Sequence, residues 1–527
     1  IRSITDSMGP VTQMIFHTTG RLPGVKRPSS SSNDETLSYD GNQRVSSVAM
    51  PGRTTTYAWS LSGSVLTSVA TDSLGTVRTT TANTTSKVIL SHKDGLNRIT
   101  SYSYDTYGRL QQVTFPEGNK VSHTYDTRGN ITETRRIAKS GSGLADLITT
   151  AGYDATCSNP VKCNQPNWTK DANVNQTDYT YNATTGLLTS VTLPKPQPTS
   201  PNPKVTHGYS ALYAWRKNAS GSLVQVADPV YRLTSSSTCL TSASCAGTAD
   251  EQVTTLTYQA GSSSTPSNLL PTSHTVRSGN FALSAATSLS FDPIGNLIAI
   301  DGPLAGSGDT TVHRYDALRR RVGTIGPDPD GGGQRLNAAK RLDYDPQGRV
   351  TLVETGKTAG QSDTAWNGFT AATTIAMTYD NANRPLTQRL QNGATTYALT
   401  QYSYDARGRV SCTAQRMHPG IYGSLPSDAC TLGTEGSYGK DRIAKYTYDI
   451  ANQRTQVQSA YGTGEVITQG AAYTPNGQVA HVIDANNNRT SYTYDGHDRL
   501  LKTNYPLPTK GANASSTTDY EQLTYGD

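Results

Sequence analysis

The chain has 527 residues, a net charge of +6 and a sequence pI near 8.8. Apolar residues make up 34% and charged residues 16% of it, too few apolar side chains for a stack of ordinary cores and too few charges for charge-driven disorder. The basic residues are scattered without a nucleic-acid-binding run, and no stretch approaches the roughly 18 consecutive apolar residues of a membrane-spanning helix.

Ser, Thr, Gly and Tyr fill the gap, with 30 Tyr against 5 Phe and 4 Trp, the composition of an all-β protein with much wetted surface. In chain order, residues 1–36 read as a degenerate repeat and a Ser-rich linker (RPSSSSNDE). The opening IRSITDSMGP has no initiator Met and no leader pattern, and the closing LTYGD resembles half a unit, so an internal piece of a longer polypeptide is expected. Residues 37–191 carry a regular unit, with Tyr-Asp at Tyr39, Tyr104, Tyr125 and Tyr153. Residues 192–285 hold irregular repeats with loops, among them LPKPQPTSPNPK. Regular units return over 286–527, at Tyr315, Tyr344, Tyr379, Tyr404, Tyr448 and Tyr494, around an insert at 411–445. FDPIGNL from Phe291 and YTPNGQV from Tyr473 are degenerate copies in the same frame. Spacings of 21, 25 and 28 residues between copies signal one supersecondary unit repeated in a continuous array without independent domains.

Before each aspartate the pattern alternates, as in Tyr102 and Tyr104 or Tyr492 and Tyr494. Residues two apart share a face on a strand and not on a helix, so the incoming segment is a strand. Three residues after Asp105, Asp126, Asp345 and Asp405 stand Gly108, Gly129, Gly348 and Gly408; Asn383, Asn452 and Asp498 occupy the same place elsewhere, while Gln43, Cys157 and Arg319 depart. That preference suits a left-handed residue closing a type I hairpin turn, with Asp40, Asp105, Asp126, Asp345, Asp405 and Asp495 at its first position accepting backbone N–H groups. Arg follows in seven copies, including Arg109, Arg349, Arg409 and Arg499. An exposed Asp–Arg pair contributes only about 0–1 kcal/mol, so its expected role is to fix the hairpin. DANVNQ (171–176) and DANNNR (484–489) open like a calcium loop but lack its Gly and Glu, which leaves a polar turn.

One hairpin is marginal alone, so neighbouring units must pair into a long antiparallel sheet that coils as its strands twist. Tyr in place of Phe suits a sheet whose rings cover the strands while their hydroxyls meet water, and from this we expect a spiralling hairpin ribbon around a cavity. The six cysteines fall into local pairs, Cys157/Cys163, Cys239/Cys245 and Cys412/Cys430. Short-loop disulfides of an exported protein are the simplest reading among 15 connectivities; free packed thiols are the alternative, and the spacing and lack of neighbouring His argue against zinc. Nine thinly spread His, equivalent turn aspartates and the absence of a nucleophile motif give no enzyme and no cofactor site. A Cys–His site around His418 is weaker than a disulfide-closed loop there.

The recurring YDTYGRL, YDARGRV and YDPQGRV resemble the tyrosine–aspartate repeats of the RHS (rearrangement hotspot) family, whose relatives include toxin-complex C components and teneurins. The segments 157–191 and 411–449 are also similar to longer signatures of bacterial members. The resemblance implies a hollow shell housing a C-terminal toxin of the same longer polypeptide, delivered by a secretion apparatus, hence a secreted or cell-surface location. Other members are cell-surface or wall-associated proteins for whose repeats carbohydrate binding has been suggested, so a carbohydrate- or protein-binding surface module is the alternative. The self-cleavage motif is not found: Asp292 and Asp301 of DPIGNLIAID sit in a repeat position.

Overall fold

In the computed structural model, described for residues 3–5, 11–16, 20–27, 32–242, 244–306, 308–331 and 333–526, 38 strands form one sheet. Residues 28–31 of the Ser-rich linker, most of the opening decapeptide and the last residue lie outside the described residues. Each strand pairs antiparallel with its neighbours in the chain, from Ser3–Thr5 to Ser515–Gln522. The stretch 192–285 joins this series: Lys204–Leu212 pairs with Leu188–Thr192 and then with Val230–Cys239, and only the small hairpin Trp215–Lys217/Leu223–Gln225 stands apart. Among the described residues no helix is long and apolar enough to cross a membrane.

The accessible surface is 29219 Å² for 56.3 kDa. A compact globule of that mass exposes about 18,500 Å². The excess is that of a one-layer ribbon with both faces wetted, as the low apolar content required.

A local device recurs at the Tyr-Asp hairpins other than that of Tyr153. The register shifts by one residue just before the tyrosine, between Ser103 and Tyr104, Thr124 and Tyr125, Ser403 and Tyr404, and Thr493 and Tyr494 among others. In the first of these Ser103 faces Gln112 while Tyr104 faces Leu110, so the outgoing strand carries an extra residue. Bulges bend a strand and increase its twist, and one at the same place in unit after unit curls the ribbon in one sense.

Consecutive turns of a meander lie at alternate edges, so the Tyr-Asp turns share one edge and the turns 72–76, 94–98 and 115–119 lie on the other. The coil brings these edges together. Arg407 Nε donates to Asp72 Oδ2 at 2.7 Å, 335 residues away. Arg98 Nη1 reaches Gln453 Oε1 at 3.2 Å, Asn119 Nδ2 reaches Asp498 Oδ2 at 2.7 Å, and His497 Nε2 lies 2.8 Å from the Ala145 carbonyl oxygen. Lys139 forms an ion pair with Asp498 across the same line and another with Glu117 on its own edge. A Cβ on Gly95 would sit 2.9 Å from the Ile450 carbonyl oxygen, so the edges touch closely there. One turn of the coil therefore takes 335–379 residues and closes on a polar seam.

The densest packing lies in the insert. Within 411–445, residues 411–416 continue a strand and Arg442 begins the next, so the loop proper is 417–441. Cys412, Ala414, Ala429 and Ile443 form its buried cluster. Beside them Arg416 and Asp441, with side chains 0% and 1% exposed, pair at 2.6 Å. The remaining Arg416 donors go to Gln401 Oε1 and the Thr431 and Asp428 carbonyls, and Asp441 also accepts the Met417 and Gly433 N–H groups. Asp441→Ala strands a buried guanidinium and should destabilise the loop by about 3–5 kcal/mol. Limited proteolysis should then cut within 417–441, and the double change Arg416→Met/Asp441→Leu should largely restore resistance.

Candidate functional site in the repeat turn

The repeat unit shows its chemistry at Asp405–Arg409. Asp405 Oδ1 accepts the N–H groups of Arg407 at 2.9 Å and Arg409 at 3.0 Å, and Oδ2 accepts Arg409 Nε at 2.7 Å. Gly408, with φ +81°, takes the left-handed position that lets the Gly408 N–H return to the Asp405 carbonyl. Asp40, Asp105, Asp345 and Asp495 make the same contacts with Arg44, Arg109, Arg349 and Arg499, and Asp126 makes them with Arg128 N–H and Asn130. Gln43 and Arg319, expected to depart, adopt φ of 70° and 63°. The aspartate contacts are strong enough to hold even poor residues in this conformation, and of the departures only Cys157 leaves it.

Two expectations are corrected. The Asp–Arg pairs are only partly exposed, at 17–29% of the arginine side chain in the units Arg44 to Arg499. Each guanidinium also reaches the following unit: Arg409 lies 4.5 Å from the Tyr448 ring centroid and its Nη1 donates to the Asp449 carbonyl at 3.0 Å. Arg109 over Tyr125, Arg320 over Tyr344, Arg349 over Tyr379, Arg384 over Tyr404 and Arg499 over Tyr525 repeat the stacking at 4.4–4.7 Å.

Most repeat hydroxyls, too, are bonded to the protein. Tyr448 donates to the Val410 carbonyl at 3.0 Å, Tyr125 to Leu110 at 2.7 Å, Tyr494 to Val479 at 2.9 Å, Tyr404 to Pro385 at 2.8 Å, Tyr344 to Arg321 at 2.9 Å and Tyr39 to Leu22 at 3.0 Å. Except at Tyr39, whose acceptor Leu22 precedes the strand Gly24–Lys26, the acceptor is the first residue of the preceding outgoing strand, whose carbonyl the bulge leaves without a ladder partner. Phe would cover the sheet equally well but leave that carbonyl unpaired.

Burial raises the Tyr494 and Tyr448 hydroxyl pKa values. At Asp316 and Asp495 burial opposes ionisation, but the backbone N–H and guanidinium of Arg320 and Arg499 outweigh it and hold both carboxyls below the usual range.

Turns without a tyrosine use the same aspartate geometry. Asp171 and Asp484 accept from Asn173/Asn175 and Asn486/Asn488. Asp72 and Asp94, which the tyrosine-based reading passed over, accept from Leu74/Thr76 and Leu96/Arg98. The spacing Asp-x-x-Gly/Asn, searched without the tyrosine, would have found them. Asp292 is likewise held by Ile294 and Asn296, and Asp301 accepts the Thr310 hydroxyl.

The cysteines pair as Cys157–Cys163, Cys239–Cys245 and Cys412–Cys430, with Cα separations of 4.9, 5.6 and 5.3 Å. Cys239 and Cys245 lie near the Asp250 carboxylate, but sulfurs bonded to each other offer no thiolate to a metal. His418 Nδ1 lies 3.2 Å from the Thr434 carbonyl oxygen.

Residues 104–138 and 473–510 match the family described as RHS Repeat. No curated protein matches the chain. Similar solved structures include a crystal structure of TcdB2-TccC3, with 13% identity over 97% of this chain and 34% of that chain and a TM-score of 0.27. A crystal structure of TcdB2-TccC3-Cdc42 has 12% identity over 96% and 30%, with a TM-score of 0.28. A Tc holotoxin pore of Photorhabdus luminescens carrying a TccC3 mutation has 12% identity over 96% and 29%, with a TM-score of 0.26. The chain thus spans about a third of the length of the chains it resembles.

Tyr494→Phe leaves the Val479 carbonyl unsatisfied and should lower amide-exchange protection of the hairpin 489–506 by about 0.5–1.5 kcal/mol. Tyr492→Phe, which loses no hydroxyl bond, should leave it unchanged. Because the Asp316 and Asp495 pKa values are depressed in the fold, their contribution is present above the unfolded value of about 4 and disappears as pH falls through the folded one. Hairpin protection should therefore be flat from pH 8 to about 5 and fall away below about 4, as exchange measured across pH will read.

Proposed function

We propose that this chain, which bears RHS repeats, is a length of wall: a coiled ribbon that encloses a non-repeat effector domain of a longer secreted polypeptide. The observation that carries the reading is the seam. A ribbon whose two edges meet after 335–379 residues, by Arg407–Asp72, Arg98–Gln453 and Asn119–Asp498, walls off the space it winds around. The large accessible surface supports an open interior in place of a core.

The chemistry of the repeat supports the same role. The turn aspartates described above are occupied by their own backbone and by a following Arg or Asn, or at Asp72 by Arg407 across the seam, and the stacked tyrosines donate to carbonyls. Such groups hold a shape, and general acid–base catalysis needs a carboxyl with a free proton site beside a substrate. The disulfides suit an exported protein. The partners on this reading are the enclosed domain and the apparatus that exports the whole.

The test uses the full polypeptide containing this segment. An enclosed effector should resist protease while the wall is intact and become cleavable when Lys139→Ala and Arg407→Ala open the seam. Digestion of the effector at the same rate with an intact and an opened seam overturns the proposal. So does selective glycan binding by the repeats that Tyr-to-Ala changes on one face abolish, with no protection of any neighbouring domain.

A further inference from the structure

We infer that the seam holds an oxyanion-binding cleft between the strand ends at Arg53 and Arg78 and the turn Asp405–Arg409. The cleft is a cavity of about 320 Å³ whose lining includes Arg53, Thr55, Ser73, Arg78, Arg407 and Asn452. Strand register gathers its donors on one face: Thr55 lies opposite Asp72, and Tyr57 opposite Ala70, which in turn faces Arg78. Directly paired residues share a face, as do residues two apart, so Arg53, Thr55, Asp72 and Arg78 point the same way.

The one carboxylate of this lining, Asp72, is already occupied. It accepts the Leu74 and Thr76 N–H groups and Arg407 Nε. Arg409 is held by Asp405, and its Nη1 donates to Asn452 Oδ1, which leaves the Asn452 amide N–H groups facing outward. Among the described residues Arg53 has no carboxylate partner, and its side chain donates only to Met50 Sδ, at 3.0 Å, a weak acceptor. Arg78 makes no side-chain hydrogen bond or ion pair among the described residues.

A further guanidinium, Arg384, lies at the adjoining cavity on the opposite edge. In the units of Arg109, Arg320, Arg349 and Arg409, Nη1 donates to the next aspartate's carbonyl. Arg384 Nη1 makes no such bond, and a Cβ on Gly408 would lie 3.3 Å from it and 4.0 Å from Arg53 Nη1. The nearby Asp34 and Glu35, which line an adjoining cavity with Arg53 and Arg384, are bonded to Arg27.

An exposed arginine is ordinarily a solvated one. Here the Arg53 and Arg78 guanidiniums of one coil edge and the Asn452 amide of the other line one concave space whose carboxylate is taken, beside the Thr55 and Ser73 hydroxyls, and that arrangement matches a tetrahedral dianion, phosphate or sulfate. An anion seated there bonds both edges and tightens the seam next to Asp72–Arg407.

The experiment is amide hydrogen exchange on the whole chain in about 10 mM phosphate, sulfate or, at matched ionic strength, chloride. For a site of about 1 mM affinity, phosphate or sulfate should slow exchange at 72–76 and 405–409 about tenfold, with no change at the hairpin 489–506. The double variant Arg53→Ala/Arg78→Ala, which removes two side chains without a structural partner, should fold and lose the response. Equal slowing by chloride, an unchanged response in the double variant, or no slowing in wild type overturns the inference.

Discussion

A backbone carbonyl that a bulge has removed from its ladder must find another donor, and the tyrosine hydroxyl of the next unit is that donor. The rest of the ribbon depends on this bond. It places the ring against the preceding turn, where the arginine that the turn aspartate has already aligned stacks on it. Aspartate fixes arginine, arginine fixes the following tyrosine, and tyrosine caps the strand that the first turn began. The contact is the same when 15 residues separate donor and acceptor, as in Tyr494 and Val479, and when 38 do, as in Tyr448 and Val410. Insertions are therefore tolerated at the far edge, where the disulfide-closed loop 417–441 grows, without disturbing the edge that sets the repeat.

A one-layer sheet has no shared core to make it cooperative, so its order is passed from neighbour to neighbour. That explains why so few side chains are fully buried, several of them, Cys412, Ala414, Ala429 and Ile443, gathered in the insert around Arg416. It also explains the polar seam. Edges that meet after a full turn of coil present turn residues, whose side chains are Asp, Asn, Arg and Lys, and they join through hydrogen bonds and ion pairs. A seam of that kind holds the coil while remaining sensitive to charge, ions and acid.

Much of the local structure was legible in the residues. Tyr102/Tyr104 announced a strand, Asp105 and Gly108 a turn, and the apolar Leu110 the outgoing strand; the paired cysteines lie close in the chain and close in space. The legible part stopped at pairs within one unit. The fate of the tyrosine hydroxyls was misjudged because their acceptors belong to the preceding unit at irregular spacing, and the arginines looked exposed for the same reason. Gln43 and Arg319 looked like failed turns because residue preference was weighed without the aspartate bonds that override it.

The sequence by itself determined the unit: strand, bulge, left-handed turn and strand, since alternation and turn chemistry act over a few residues. Only the tertiary structure decided which unit each tyrosine caps, that Arg407 meets Asp72, and that Arg53 and Arg78 line one cleft. Those meetings result from twist and bulge accumulated over many hairpins, a sum that no local pattern of residues records.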